Sequence, residues 1–71
     1  MQRQHVESAA LESIGYDAET NTLELEFKEH SGVWQYFNIK PSFYKKFRNS
    51  ESLGNFFVTR IKGKYAEKKV G

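Results

Sequence analysis

The clearest pattern in the chain is the alternation of apolar and polar residues over positions 22–28. Leu23, Leu25 and Phe27 take every second position, and charged residues stand beside them. Because successive side chains of a β-strand point to opposite faces, this pattern predicts a strand with one buried face and one solvated face. Residues 11–16 predict a strand before it, and the glycine in that strand is expected to mark a β-bulge.

A third strand is predicted at positions 33–39, although its apolar residues do not alternate cleanly. If a four-residue loop pairs Lys28 with Val33, then Trp34 and Tyr36 lie on the apolar side of the sheet. A loop one residue longer or shorter would move both rings to the opposite face. The register of this hairpin decides whether the two rings are core residues or an exposed surface, and we expect core residues.

After Pro41, which suits the first turn of a helix, apolar residues recur at helical spacing. One predicted helix carries Phe43, Tyr44 and Phe47 on its apolar stripe. A second predicted helix, which ends near Gly63, carries Leu53, Phe56, Phe57 and Ile61. The polar residues between the two stripes break the first helix and offer caps for the second.

These elements predict one small α+β domain: a three-stranded antiparallel β-meander followed by two short helices packed on one face. Residues 1–7 are expected to be a flexible N-terminus, residues 8–65 the folded domain, and residues 66–71 a flexible basic tail. Of the 71 residues, 15% are aromatic, which suits the small core that such a chain can bury.

Localisation and catalysis are both constrained by what the composition lacks. No apolar run approaches the roughly 20 residues that span a bilayer, and the polar N-terminus does not resemble a signal peptide, so we expect a cytoplasmic monomer without membrane contact. There is no cysteine, and neither His5 nor His30 has a carboxylate at metal-ligand spacing. We therefore expect no catalytic residue, no metal, no cofactor and no enzymatic activity.

The charge is unevenly distributed. Residues 1–36 carry two basic and seven acidic residues, a net charge of −5, whereas residues 37–71 carry nine basic and two acidic residues, a net charge of +7. Such asymmetry is typical of a basic half that meets an anionic partner, and equally of two halves that attract each other across the fold.

Basic and aromatic residues are interleaved toward the C-terminus. This pattern suits phosphate contact combined with base stacking, although a solvated surface would need basic residues too. The candidate RNA-binding residues are Arg60, Lys62, Lys64, Tyr65, Lys68 and Lys69, together with Trp34 and Tyr36 on the third strand. Tyr65 is the predicted stacking ring of the basic segment.

Six segments carry a family resemblance through their order and spacing: residues 8–11, 14–17, 23–27, 34–39, 52–57 and 61–65. Together they resemble the KTSC domain, a family named after the C-terminal domain of some lysyl-tRNA synthetases and also found as a free-standing small bacterial protein. Two positions depart from the family pattern: Trp34-Gln35-Tyr36 replaces Tyr-x-Tyr, and Ile39-Lys40 replaces Val-Pro. RNA binding is the function that the resemblance implies.

Two functional hypotheses follow from these observations. The first is a small non-enzymatic module that binds RNA or tRNA weakly, with little sequence preference, through its basic and aromatic surface. The alternative is a protein-interaction domain that docks a partner chain through its basic tail or through an acidic sheet face formed by Glu12, Glu24 and Glu26.

Overall fold

Five β-strands form one antiparallel sheet in which the strand order follows the chain order. The computed structural model describes residues 1–29 and 31–71, so His30, which was expected in a turn, lies outside the described residues. The strands are β1 (Arg3–His5), β2 (Leu11–Asp17), β3 (Thr22–Phe27), β4 (Gly32–Tyr36) and β5 (Glu67–Lys69). The predicted α+β class and the antiparallel meander are confirmed.

The prediction of three strands is wrong, because two short strands extend the meander at its edges. β1 pairs with β2, and β5 pairs with β4, so both chain ends that were expected to be flexible contribute to the sheet. All six residues of these edge strands are exposed. Short charged strands are a common form of sheet edge, and they carry no apolar alternation that a sequence pattern could detect.

Two helices follow the meander, as predicted. α1 spans Pro41–Arg48 and has its proline in the first turn. α2 spans Leu53–Phe56, and its N-cap is Ser52, whose hydroxyl accepts a hydrogen bond of 3.2 Å from the backbone N–H of Asn55. α2 continues directly into a π-helical segment, Phe57–Ile61, which we call the π-turn.

The core lies between one face of the sheet and the two helices. Six of its side chains are fully buried: Leu11, Leu23, Leu25, Ile39, Phe47 and Ile61. Tyr16 of β2 stacks on Tyr44 of α1 with a ring-centroid distance of 4.3 Å, and Tyr36 of β4 packs edge-on against Phe57 at 5.3 Å. Both helices therefore cover the same face of the sheet. Within the described residues, no helix is long and apolar enough to cross a membrane.

The register of the β3–β4 hairpin differs by two residues from the expected register. Leu25 pairs with Trp34 and Leu23 pairs with Tyr36, and the last pair of the hairpin is Phe27 with Gly32 instead of the expected Lys28 with Val33. Because side chains alternate with a period of two, a two-residue shift leaves both rings on the predicted apolar face. Tyr36 is 3% exposed and belongs to the core, whereas Trp34 is only partly buried.

Gly15 does not mark the bulge of β2. The irregularity falls between Leu11 and Ser13, where the pairing with β3 shifts by one residue. At Gly15 the backbone of β1 approaches closely instead, and a Cβ atom there would lie 2.7 Å from the carbonyl oxygen of Gln2. The glycine is needed because a side chain would push β1 away from the sheet.

Candidate functional site

An open groove of about 270 Å³ lies where the sheet meets the end of the π-turn. It combines the ends of β3 and β4, the first residue of β5 and the residue after the π-turn. We call it the aromatic groove, and its lining residues are Phe27, Ser31, Trp34, Tyr36, Phe57, Lys62 and Glu67. Three of the candidate residues from the sequence, Trp34, Tyr36 and Lys62, therefore meet at one place.

The floor of the aromatic groove is a packed set of rings. Phe57 packs edge-on against Phe27 at 5.2 Å and against Tyr36 at 5.3 Å between ring centroids. Phe57 and Tyr36 are buried, while Trp34 is partly buried and its indole N–H donates a hydrogen bond of 3.1 Å to the carbonyl oxygen of Ser31. This bond holds the indole plane, so Trp34 is the ring that a ligand could cover without displacing the core.

The π-turn explains how a basic residue reaches this groove. The backbone N–H of Lys62 donates to the carbonyl oxygen of Phe57 over 2.8 Å, five residues back rather than four. This wider turn brings the backbone of Lys62 next to that of Phe57. The buried ring of Phe57 and the exposed Lys62 therefore line the same groove. π-Helical turns are rare, and they occur frequently at functional sites.

Glu67 supplies a negative charge on the rim of the same groove. It pairs with Tyr36 across the β4–β5 ladder, and cross-strand partners share a face, so its carboxylate lies on the helix-covered side. Burial, and to a lesser extent the negative charge of Glu67, raise the pKa of Tyr36 to about 12. The phenol therefore stays protonated at neutral pH.

Within the described part of the chain, Glu67 and Lys62 form neither an ion pair nor a side-chain hydrogen bond with another residue. Both groups line the aromatic groove, yet they do not approach within the 4.0 Å that defines an ion pair. The groove thus presents one cation, one carboxylate and an indole face, each accessible to a ligand.

The remaining candidate residues are distributed over more than one surface. Arg60 is exposed and lies over the ring of Phe56 at 5.7 Å, on the outer side of the second helix. Tyr65 is partly buried, and its ring packs against that of Phe43 at an interplanar angle of 40° with 5.6 Å between centroids. Lys64 is exposed in the turn after the helix.

The two lysines of β5 point to opposite sides of the sheet. Lys69 pairs with Trp34 and shares its face, whereas Lys68 pairs with Gln35 on the face without helices. A ligand in the aromatic groove could therefore reach Lys69 more easily than Lys68. Sequence reasoning missed Glu67 and Ser31 as groove residues, because neither belongs to a basic or aromatic pattern.

Two glutamates of the acidic sheet face are bonded to neighbouring side chains, and Glu24 is neutralised by one of them. Glu24 is 6% exposed, forms an ion pair with Arg3 of β1 and accepts a hydrogen bond of 2.9 Å from the side-chain amide of Gln35. Glu26 accepts a hydrogen bond of 2.8 Å from the hydroxyl of Ser13. Burial by itself would raise the pKa of Glu24, but the hydrogen bonds from Gln35 and Arg3 and the charge of Arg3 outweigh it and lower that pKa.

A larger hollow of about 450 Å³ lies beside β1, at the opposite edge of the sheet. Its two rings, Tyr16 and Tyr44, are stacked on each other, and the guanidinium of Arg48 lies over Tyr44 at 5.8 Å from the ring centroid. Both rings are therefore already paired with groups of the protein. We therefore regard the aromatic groove as the candidate site, although it is the smaller of the two.

The fold and the groove define a small α+β domain with a five-stranded antiparallel sheet, two helices on one face and an aromatic cleft at their border. A sequence model of the KTSC domain matches residues 7–65, so the chain belongs to the KTSC domain family. The resemblance to this family seen in the sequence is confirmed.

Two relatives show how far the similarity extends. The crystal structure of a KTSC domain protein from Yersinia pestis is 40% identical in sequence, with a TM-score of 0.94, and the match covers 99% of this chain and 97% of that one. An uncharacterised protein of Stutzerimonas stutzeri strain A1501 is 33% identical over 57 residues, which cover 80% of this chain and 79% of that protein.

Proposed function

We propose that this protein is a non-enzymatic, cytoplasmic module that binds single-stranded RNA, including unpaired segments of tRNA, through the aromatic groove. The observation that carries the proposal is the meeting of Trp34 and Lys62 in one open cleft. An unpaired base stacks on the indole while the adjoining phosphate lies against the lysine. The suggestion of tRNA follows from the lysyl-tRNA synthetase context associated with the family name.

The aromatic groove supplies the two interactions that single-strand binding needs. Stacking of a base on an aromatic side chain contributes about 1–3 kcal/mol and is sequence-tolerant, because every base has a π-face. Phosphate contacts from lysine and arginine add affinity without sequence preference. Trp34 provides the first interaction, and Lys62 provides the second, with Lys64 and Lys69 as exposed neighbours along the chain or the sheet.

The groove also favours Trp34 over Tyr65 as the stacking ring. The ring of Tyr65 packs against that of Phe43, so a base that stacked on Tyr65 would have to leave this contact intact. The hydrogen bond from the indole of Trp34 to Ser31 fixes its orientation before a ligand arrives. A pre-oriented ring loses less conformational entropy on binding.

The alternative, protein docking through the acidic sheet face, has weaker support. The carboxylate of Glu24 is buried and paired with Arg3, so its charge is not free for a partner. Glu26 accepts a hydrogen bond from the hydroxyl of Ser13, and a carboxylate oxygen of Glu12 lies 3.1 Å from Nδ1 of His5. Docking of an acidic partner through the basic tail would use Lys68 and Lys69. It would weaken with salt as RNA binding does, but it would involve no base stacking on Trp34.

The experiment is a titration of the protein with tRNA and with single-stranded oligonucleotides at about 50 mM salt. Trp34 is the only tryptophan, so quenching of its fluorescence reports stacking directly. We expect quenching together with NMR shifts at Trp34, Lys62 and Glu67, and none at Glu24 on the opposite face. If binding leaves the fluorescence and these resonances unchanged, the groove is not the site.

The salt dependence tests the phosphate contacts. If three to five charges meet phosphates, the slope of log K against log salt is roughly −2 to −3.5 for a single strand. Replacing both Lys62 and Lys64 with glutamine should flatten that slope by about 1 to 1.5. The matched control replaces Lys45 and Lys46, two exposed lysines of α1 that do not line the groove, and should leave the slope unchanged.

A further inference from the structure

Glu67 is the acidic residue among those that line the aromatic groove, and its charge opposes phosphate binding. A carboxylate repels an RNA backbone, yet β5 holds it opposite Tyr36 on the rim of the groove that also contains Trp34 and Lys62. Within the described residues, none of the three ion pairs involves it. Its position therefore suits an uncharged part of a ligand that carries hydrogen-bond donors.

The edges of the four bases differ in the donors that they offer to a carboxylate. Guanine carries two adjacent donors, N1–H and the 2-amino group, whose spacing matches the two oxygens of one carboxylate. Uracil offers N3–H alone, flanked by two carbonyl oxygens that a carboxylate repels. Adenine and cytosine each offer one amino group beside a ring nitrogen that accepts. Only guanine makes a bidentate contact without opposing lone pairs.

Lys62 and Glu67 offer opposite charges to the two ends of one nucleotide. They line the same cleft but do not approach within the 4.0 Å that defines an ion pair, so neither charge is neutralised by the other. A base stacked on Trp34 would direct its hydrogen-bonding edge to one side and its sugar and phosphate to the other. The lysine then meets the phosphate, and the carboxylate meets the base edge.

We propose that the aromatic groove selects guanine in single-stranded RNA, with Glu67 accepting hydrogen bonds from N1–H and the 2-amino group while Trp34 stacks on the base. This inference rests on the proposed RNA-binding function and adds a preference at one nucleotide position. The rest of the strand is bound through phosphates without sequence preference.

The test compares short uridine oligonucleotides that carry a single central guanine, inosine or adenine. Inosine keeps N1–H but lacks the 2-amino group, so it separates the two hydrogen bonds. Affinities are measured with the full chain by quenching of Trp34 fluorescence. Bidentate base contacts discriminate by 1–3 kcal/mol, and for an exposed rim residue we expect the lower end, a preference of about five- to tenfold for guanine over adenine, with inosine between them.

The variant Glu67→Gln should reduce the preference for guanine over adenine to about twofold or less. Its control is Glu51→Gln, which removes the same charge from an exposed position outside the groove and should keep the preference. The ratio of affinities is the readout, because removing any carboxylate strengthens the attraction to RNA in general. The inosine series uses the unaltered protein and so does not depend on how the variant folds.

Each outcome decides the proposal. Equal affinity for the three oligonucleotides, or a preference for adenine, overturns the role of Glu67 and leaves RNA binding in place. A guanine preference that survives Glu67→Gln also overturns it, because another group would then select the base. If none of the oligonucleotides binds, the proposed function fails and the inference fails with it.

Discussion

Replacing Phe57 with alanine tests whether the π-turn closes the core over the sheet. Phe57 is 7% exposed, and its ring lies edge-on to those of Phe27 and Tyr36 at 5.2 and 5.3 Å. Truncation of a buried phenylalanine costs about 3–5 kcal/mol, and each aromatic pair contributes about 0.5–1.5 kcal/mol beyond burial. Because two such pairs are lost, we expect a cost in the upper half of that range, about 4–5 kcal/mol.

That cost is large for a chain of 71 residues. At about 0.05–0.15 kcal/mol per residue, its free energy of unfolding is roughly 4–11 kcal/mol. A loss of 1 kcal/mol lowers the melting temperature of a domain of this size by about 4–8 °C, so the variant should melt at least about 15 °C below the parent or fail to fold. Far-UV circular dichroism during urea and thermal unfolding measures the loss independently of Trp34.

Two control variants separate core packing from a general effect of substitution in the π-turn. Val58→Ala changes a neighbour that is 59% exposed, and it should cost less than about 0.5 kcal/mol. Phe57→Leu keeps much of the volume and should lie between the other two. If Phe57→Ala unfolds within about 1 kcal/mol of Val58→Ala, the ring is not part of the core and our account of the groove floor is wrong.

Three further predictions concern the sheet. The lowered pKa of Glu24 stabilises the folded state above the ordinary glutamate pKa of about 4.3, and this stabilisation is lost as the pH falls. Between about pH 5 and pH 3 the free energy of unfolding should therefore fall less in Glu24→Gln than in the parent. An equal fall in the two proteins would contradict this. Gly15→Ala should release β1, because its Cβ would lie 2.7 Å from the carbonyl oxygen of Gln2, and faster amide hydrogen exchange confined to β1 and its partner strand would demonstrate it. Glu29 has a φ angle of 62°, so Glu29→Gly should raise the free energy of unfolding by up to about 1 kcal/mol, and a destabilised variant would refute this.

The elements that the sequence predicted are those whose stability depends on side chains. Leu23 and Leu25 alternate with polar residues because one face of β3 is buried, and the helical stripe that includes Phe47 exists for the same reason. The edge strands β1 and β5 follow a different rule, because all of their residues are exposed and backbone hydrogen bonds hold them to the sheet. Because exposed residues need no apolar alternation, these two strands leave no period-two pattern in the sequence.

The candidate site depended on two features of the backbone that residue types do not reveal. The four-residue spacing from Phe57 to Ile61 fits an ordinary α-helix, and only the hydrogen bond from Lys62 back to Phe57 shows that the turn is wider. Glu67 reaches the groove because β5 pairs with β4 in a register that places it opposite Tyr36. Basic and aromatic composition therefore singled out Trp34, Tyr36 and Lys62, whereas the geometry decided that these three line one groove. In the proposed complex, the carboxylate of Glu67, which composition assigned to no role, would select the base, and the lysines would supply affinity.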